Sequence, residues 1–190
     1  MYTIIALFGP SGSGKDYLCK KLESYFPDKV HKIVSYTTRP KRDGEIDGLD
    51  YHFITNLKAT ELDWLELSTF NNDWKYGTTF DCLVEDKVNV GAYNIQGIHS
   101  LLEMEKQKDN LLVFPVYVEA EPKIRLTRAL RREENPDCHE ICRRFLADEK
   151  DFENLDFDYI EWNNNQRTRK PQFPDDIMLI LSAHRMLPGQ

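Results

Sequence analysis

Seven residues near the start of the chain, Gly9-Pro10-Ser11-Gly12-Ser13-Gly14-Lys15, have the spacing G-x-x-x-x-G-K. Glycines at these positions let the backbone curl until successive N–H groups face one anion, and the closing lysine reaches the outer phosphates of a triphosphate. The pattern marks a phosphate cradle in which Gly9, Ser11, Gly12, Ser13, Gly14 and Lys15 surround an ATP-type ligand. A Ser or Thr that ligates Mg2+ ordinarily follows such a lysine, but Asp16 stands there instead. Its carboxylate fits either of two roles: a contact to Mg2+, or a favourable charge at a helix N-terminus.

A second cationic cluster lies in Ser35-Tyr36-Thr37-Thr38-Arg39-Pro40-Lys41-Arg42, which Pro40 and Gly44 make a loop. Arginine forks grip phosphate through paired hydrogen bonds, so a second phosphate-bearing substrate fits here, with a solvated basic turn as the alternative. Arg128, Arg131, Arg132, Arg143 and Arg144 bracket a helix break at Pro136. Guanidiniums on such a flap neutralise the charge of a moving phosphoryl group, or else pair with Glu133, Glu134, Glu140 and Glu149 on a helix surface. Cys138-His139-x-x-Cys142 has helical i, i+4 spacing but no second ligand cluster, so Cys142 is expected in the core beside Phe145.

The elements that must position these groups follow from periodicity. Thr3 to Phe8 reads as a buried strand, and Leu18, Cys19, Leu22, Tyr25 and Phe26 as the apolar face of a helix stopped by Pro27. Strands are expected at Ile33 to Ser35, Tyr51 to Ile54, Val88 to Asn94, Leu111 to Val118 and Tyr159 to Trp162. Helices are expected at Leu57 to Leu67, Gly97 to Gln107, Ile124 to Arg132 and His139 to Phe152, with a closing helix carrying Ile177, Ile180, Leu181 and His184 on one face. Alternating strands and helices imply an α/β fold with a parallel sheet.

The 190 residues, 41% hydrophobic and 30% charged, can bury one core. The net charge of −7 offers nothing global to nucleic acid or an anionic membrane, so a polyanionic ligand must be held by local cations. The opening residues read as a strand rather than a signal peptide, and no apolar run is long enough to span a bilayer. Four cysteines in a chain of this type imply reduced thiols and a cytoplasmic setting.

The cradle, together with Ser35-x-Thr37-Thr38-Arg39-Pro40-x-Arg42-x-Gly44-Glu45-x-Asp47-Gly48-x-Asp50-Tyr51-x-Phe53, resembles guanylate kinase over Ile5 to Asn163. The resemblance implies a P-loop three-layer α/β sandwich with a parallel sheet, a small inserted GMP-binding subdomain and a helical lid. One domain would span 1–190, with its core in 1–34, 88–130 and 150–190, the subdomain near 35–87 and the lid near 131–149. The implied reaction is phosphoryl transfer from MgATP to GMP or dGMP. Ser35, Arg39, Arg42 and Tyr51 would hold the GMP phosphate, joined by Tyr76. Glu66 and Thr78 would read the base, and Asn163 would sit near adenine. Arg132, or Arg131, and Arg144 would be the lid arginines, so Lys15, Arg39, Arg132 and Arg144 carry catalysis. Small nucleotides are the expected partners, in a monomer or homodimer with no role for nucleic acid or membrane.

The residue chemistry agrees with that assignment. Guanine presents an N1–H and an exocyclic amine on one edge, so a carboxylate accepting both separates it from adenine. Glu66 would do this; without the resemblance it reads as a solvent-facing helix residue. The chain departs from the family's Asp-x-Asp at Ala92-Tyr93-Asn94 and carries one extra residue around Asn71-Asn72-Asp73. Asn94 would accept from the base less selectively than an acid, and Asp16 would compensate for Ala92 in organising Mg2+. Two alternatives follow: a kinase with shifted base choice, such as a deoxynucleotide kinase, or a non-catalytic module that binds acidic or phosphorylated peptides.

Overall fold

The structure is a computed structural model that describes residues 1–70, 73–132, 134–165 and 172–183. In chain order the elements are β1 (Tyr2–Phe8), α1 (Lys15–Tyr25), β2 (Val30–Lys32), β3 (Tyr36–Thr37), β4 (His52–Phe53), α2 (Asn56–Ala59), β5 (Trp64–Phe70) and β6 (Trp74–Thr79). A 3-10 turn at Phe80–Cys82 leads into β7 (Val88–Ala92), α3 (Ile95–Gln107), β8 (Leu111–Glu119), α4 (Pro122–Leu130), α5 (Cys138–Asp151), β9 (Ile160–Asn163) and α6 (Asp175–Ala183). Expectations that fell on Asn71, Asn72, Glu133, the 166–171 part of the linker and His184 lie outside the described residues.

The main sheet is parallel, in the order β2-β7-β1-β8-β9. Its centre is β1, whose Ile4 to Phe8 are fully buried, as expected for a strand covered on both faces. On one face Ile5, Leu7, Val90 and Val118 pack on α1 and on Ile177 and Leu181 of α6. On the other, Ile4, Ala6 and Phe8 meet Ile98 and Leu101 of α3 and Leu65 of β5. The crevice at the carboxyl ends of the strands, where β1 runs into α1, is where α/β sheets bind ligands.

A second sheet, ordered β4-β3-β6-β5, stands beside this crevice. Its β5–β6 hairpin is antiparallel and pairs Glu66 with Thr78. The expected helix over Leu57 to Leu67 is corrected here: one short helix turn, α2, is capped by the Thr55 side chain, and the chain then enters β5. Leu65 and Glu66 are both buried where β5, paired with β6, packs against α3, and the register of the hairpin is irregular between Trp64 and Glu66; an exposed helix would not bury both. The strand expected at Ile33 to Ser35 is likewise displaced to Val30–Lys32, although the Ile33 amide still donates to Val90 in the ladder. Cys142 is exposed on α5 rather than in the core. Among the described residues no helix is long and apolar enough to cross a membrane.

Candidate active site

The segment 9–15 joins β1 to α1 and adopts left-handed backbone at Gly9, Gly12 and Gly14, with φ of 140°, 80° and 100°. A Cβ at Gly9 would lie 2.5 Å from the Val118 carbonyl oxygen, and one at Gly12 2.7 Å from that of Arg125. Side chains are therefore excluded on steric and conformational grounds together. Cations and an amide bind the loop's carbonyls: Arg128 Nη1 donates to Gly12 and Ser13 at 3.2 and 2.9 Å, and Asn164 Nδ2 to Ser13 at 2.6 Å. Arg125 Nε donates to Ser11 at 3.3 Å. With carbonyls engaged in this way, the amides leading into α1 are left to serve an anion. Lys15 curls back so that Nζ donates to Gly9 and Pro10 at 2.6 and 3.2 Å. Burial lowers its pKa, although Asp16 and Asp148 oppose that. Ser13 Oγ is buried without a partner.

Asp16 is exposed in the first turn of α1, and its charge acts on both Lys15 and Tyr51. Mg2+ keeps several waters, takes few protein ligands and is carried largely on substrate phosphates, so a single carboxylate at this place fits such an ion.

Across the crevice, Arg39 is 4% exposed and pairs with both oxygens of Glu45, at 3.0 and 2.7 Å. Burial, which would raise the Glu45 carboxyl, is outweighed by Arg39 and by the Arg42 amide, so it stays below its ordinary value. The Arg39 guanidinium also lies 5.6 Å from the rings of Tyr51 and Phe53, and Tyr51 packs edge-on to Tyr76. Burial raises the Tyr51 phenol, with Asp16 adding to it, so the phenol stays protonated as a donor. The Arg42 side chain is exposed. The structure thus gathers Arg39, Tyr51 and Tyr76 into one aromatic-walled cationic corner.

Behind that corner, Thr78 Oγ1 donates to Glu66 Oε1 at 3.0 Å and lies 3.2 Å from Ser35 Oγ. Burial pushes the Glu66 carboxyl up to about 8, against the opposing hydrogen bond from Thr78. Asn94 reaches the same pocket, but its Oδ1 caps α3 by accepting from the Gly97 amide at 2.7 Å. That acceptor is committed to the helix, a role its N-cap position explains.

The lid arginines are less converged. Arg131 and Arg132 follow α4 and are exposed, whereas Arg144 on α5 donates to Glu140 at 2.6 Å. Hydrogen bonds from Arg143 and Arg144 hold the Glu140 carboxyl down to about 2. Asn163 is exposed, its Nδ2 reaching Glu119 at 3.5 Å and its Oδ1 accepting from the Asn165 amide at 3.1 Å, while its neighbour Asn164 is the residue that turns in to the cradle. Arg125, Asn164 and Asp148 were not singled out from the sequence. Arg125 stacks on Phe145 at 4.3 Å and bonds Glu149 at 3.0 Å, tying α4, α5 and the cradle together. Helical spacing offered a signal for it, since Arg125 lies three residues before Arg128 on one face.

Comparison with known proteins adds a family. The family model described as guanylate kinase matches residues 1–169. The chain is 29% identical over 179 residues to a guanylate kinase of Helicobacter hepaticus, covering 88% of this chain and 85% of that protein. It is also 29% identical over 159 residues to human Disks large homolog 3, covering 78% of this chain but 18% of that one. Among solved structures, guanylate kinase from Anaplasma phagocytophilum superposes with a TM-score of 0.62 at 22% identity, over 97% of this chain and 87% of that chain.

Proposed function

The chain belongs to the guanylate kinase family, and on that premise we propose how its two anion sites carry out ATP-dependent phosphorylation of GMP. An oxygen of the GMP phosphate attacks the γ-phosphorus of ATP, the β–γ bridging bond breaks, and ADP leaves with GDP as the other product. No general base is needed because the attacking phosphate is already an anion, so the protein's task is to bring two anions together.

The cradle of Gly9 to Lys15 holds the ATP phosphates on backbone amides and the N-terminal end of α1. Lys15 exchanges its carbonyl partners for the transferring phosphoryl oxygens, whose charge it offsets. Arg39, Arg42, Tyr51, Tyr76 and Ser35 fix the acceptor phosphate. Glu45 serves Arg39 by holding its guanidinium in one orientation. Glu66, giving up its proton as guanine is seated, accepts from N1–H and the exocyclic amine, and Thr78 keeps that carboxylate in place. Arg132 and Arg144 come in with the lid, Arg144 leaving Glu140. Asp16 would hold Mg2+, which when bound neutralises phosphate charge and orients the triphosphate. Asn164, rather than Asn163, supports the cradle. The free thiols of Cys19, Cys82, Cys138 and Cys142 fit a reducing, cytoplasmic setting.

What supports this reading is the geometry of the two cationic groups: Lys15 Nζ is folded back onto the Gly9 and Pro10 carbonyls of the glycine loop, and Arg39 is held by Glu45 against the Tyr51 ring, itself packed on Tyr76. It is tested by following ADP release with ATP and each nucleoside monophosphate in turn. The expected order is GMP and dGMP far ahead of AMP, CMP and UMP; equal turnover of AMP would remove Glu66 as the reader of the base.

A further inference from the structure

Tyr93 carries a buried hydroxyl that makes no well-formed hydrogen bond, although the Thr78 side chain is close enough to act on it as a hydrogen-bond partner. The residue follows β7 and is 6% exposed. A phenylalanine would fill the same volume without leaving a polar group dry. The ring is nonetheless given its own hollow. On β7, Gly91 lacks the Cβ that would stand 2.8 Å from both Cε2 and Oη of Tyr93.

The near edge of the ring reaches the base pocket. Glu66 Oε2, Asn94 Oδ1 and Tyr93 Cδ1 stand 3.2, 3.2 and 3.4 Å from the point that a Cβ on Gly97 would occupy, so three side chains meet at the first turn of α3. Burial first, then the Glu66 charge, raises the Tyr93 phenol well above its ordinary value, while Thr78 acts the other way. The remaining titratable groups acting on it are Cys19 of α1 and Cys82 of the 3-10 turn, and Glu66 itself responds to burial and Thr78 alone.

A carboxylate in so dry a place needs donors from the protein as well as from its ligand. Thr78 supplies one, and Asn94 has its oxygen committed to Gly97. We propose that Tyr93 is a specificity-determining positioning residue whose O–H donates to the Glu66–Thr78 pair when guanine is seated, supporting the ionised carboxylate that the guanine edge requires. The inference rests on the reading of Glu66 given above.

Tyr93→Phe keeps the ring over Gly91 and deletes only the hydroxyl. KM for GMP and for ATP is measured between about pH 6 and pH 9 for the wild type, Tyr93→Phe and Glu66→Gln, with melting temperatures alongside. Tyr93→Phe is expected to raise KM for GMP about ten-fold at neutral pH, move the inflection of that profile to higher pH and leave KM for ATP within about two-fold. An unchanged GMP profile with a higher melting temperature would mean that the hydroxyl was only an orphan, and overturns the proposal; so does a parallel rise in both KM values. Should Glu66→Gln change the GMP profile while Tyr93→Phe does not, Glu66 remains the reader and only the role of Tyr93 falls. Should neither variant change it, the reading of Glu66 falls as well.

Discussion

Asp148 Oδ2, on α5, accepts a hydrogen bond from the Ser11 backbone amide in the glycine loop at 2.7 Å, and Arg125 Nη2 stands 4.0 Å from the same oxygen. A carboxylate thus takes up an amide of the 9–15 loop, the proposed site of the ATP phosphates, and ties α5 to it. Replacing Asp148 by Ala removes that competing charge, and KM for ATP is expected to fall about three-fold or more. Steady-state kinetics at saturating GMP checks this, and a rise in KM for ATP would show that the contact supports the cradle instead.

With Glu66 as the proposed reader of guanine, GMP binding is expected to depend on pH. Its folded-state carboxyl sits at about 8, so at neutral pH most of it is protonated and GMP must displace a proton to use it as an acceptor. KM for GMP should therefore fall as pH rises toward about 8 and level off above it, by no more than about a decade per pH unit. The same shift works against stability: between about 4.5 and 8 the folded state holds a proton that the unfolded chain has lost, so this group lowers stability as pH rises through that window. Glu66→Gln should flatten both dependences.

Asp16 directly follows the cradle lysine, in the first turn of α1, and is exposed. Asp16→Ser is expected to shift the Mg2+ concentration needed for half-maximal turnover by about three-fold or more. An unchanged Mg2+ titration would leave Asp16 as a helix-terminus charge only.

Much of this site was legible because its signals are local. A glycine spacing between a strand and a helix dictates backbone shape directly, and the Arg39 to Tyr51 string carries its own turns. The element that holds Glu66 was misread as a helix over Leu57 to Leu67, whereas burial of adjacent Leu65 and Glu66 depends on α3 arriving from 30 residues further along the chain. Asn163 and Asn164 differ by one step of a strand, and one step reverses the face, so only the register of β9 against β8 shows which turns to the cradle. Arg125 and Tyr93 were passed over for a similar reason: a stacked guanidinium and an orphan hydroxyl are defined by neighbours that no sequence window contains.

The central claim is that one crevice clasps two phosphate chains, with Lys15 on one wall and Arg39 on the other. Calorimetric titration with a dinucleotide that joins adenosine to guanosine through five phosphates tests it in the wild type, Lys15→Met and Arg39→Ala. One molecule per chain should bind, and each variant, melting as the wild type does, should lose about ten-fold or more in affinity. If either folded variant binds as tightly as the wild type, its wall does not hold a phosphate and the account is contradicted.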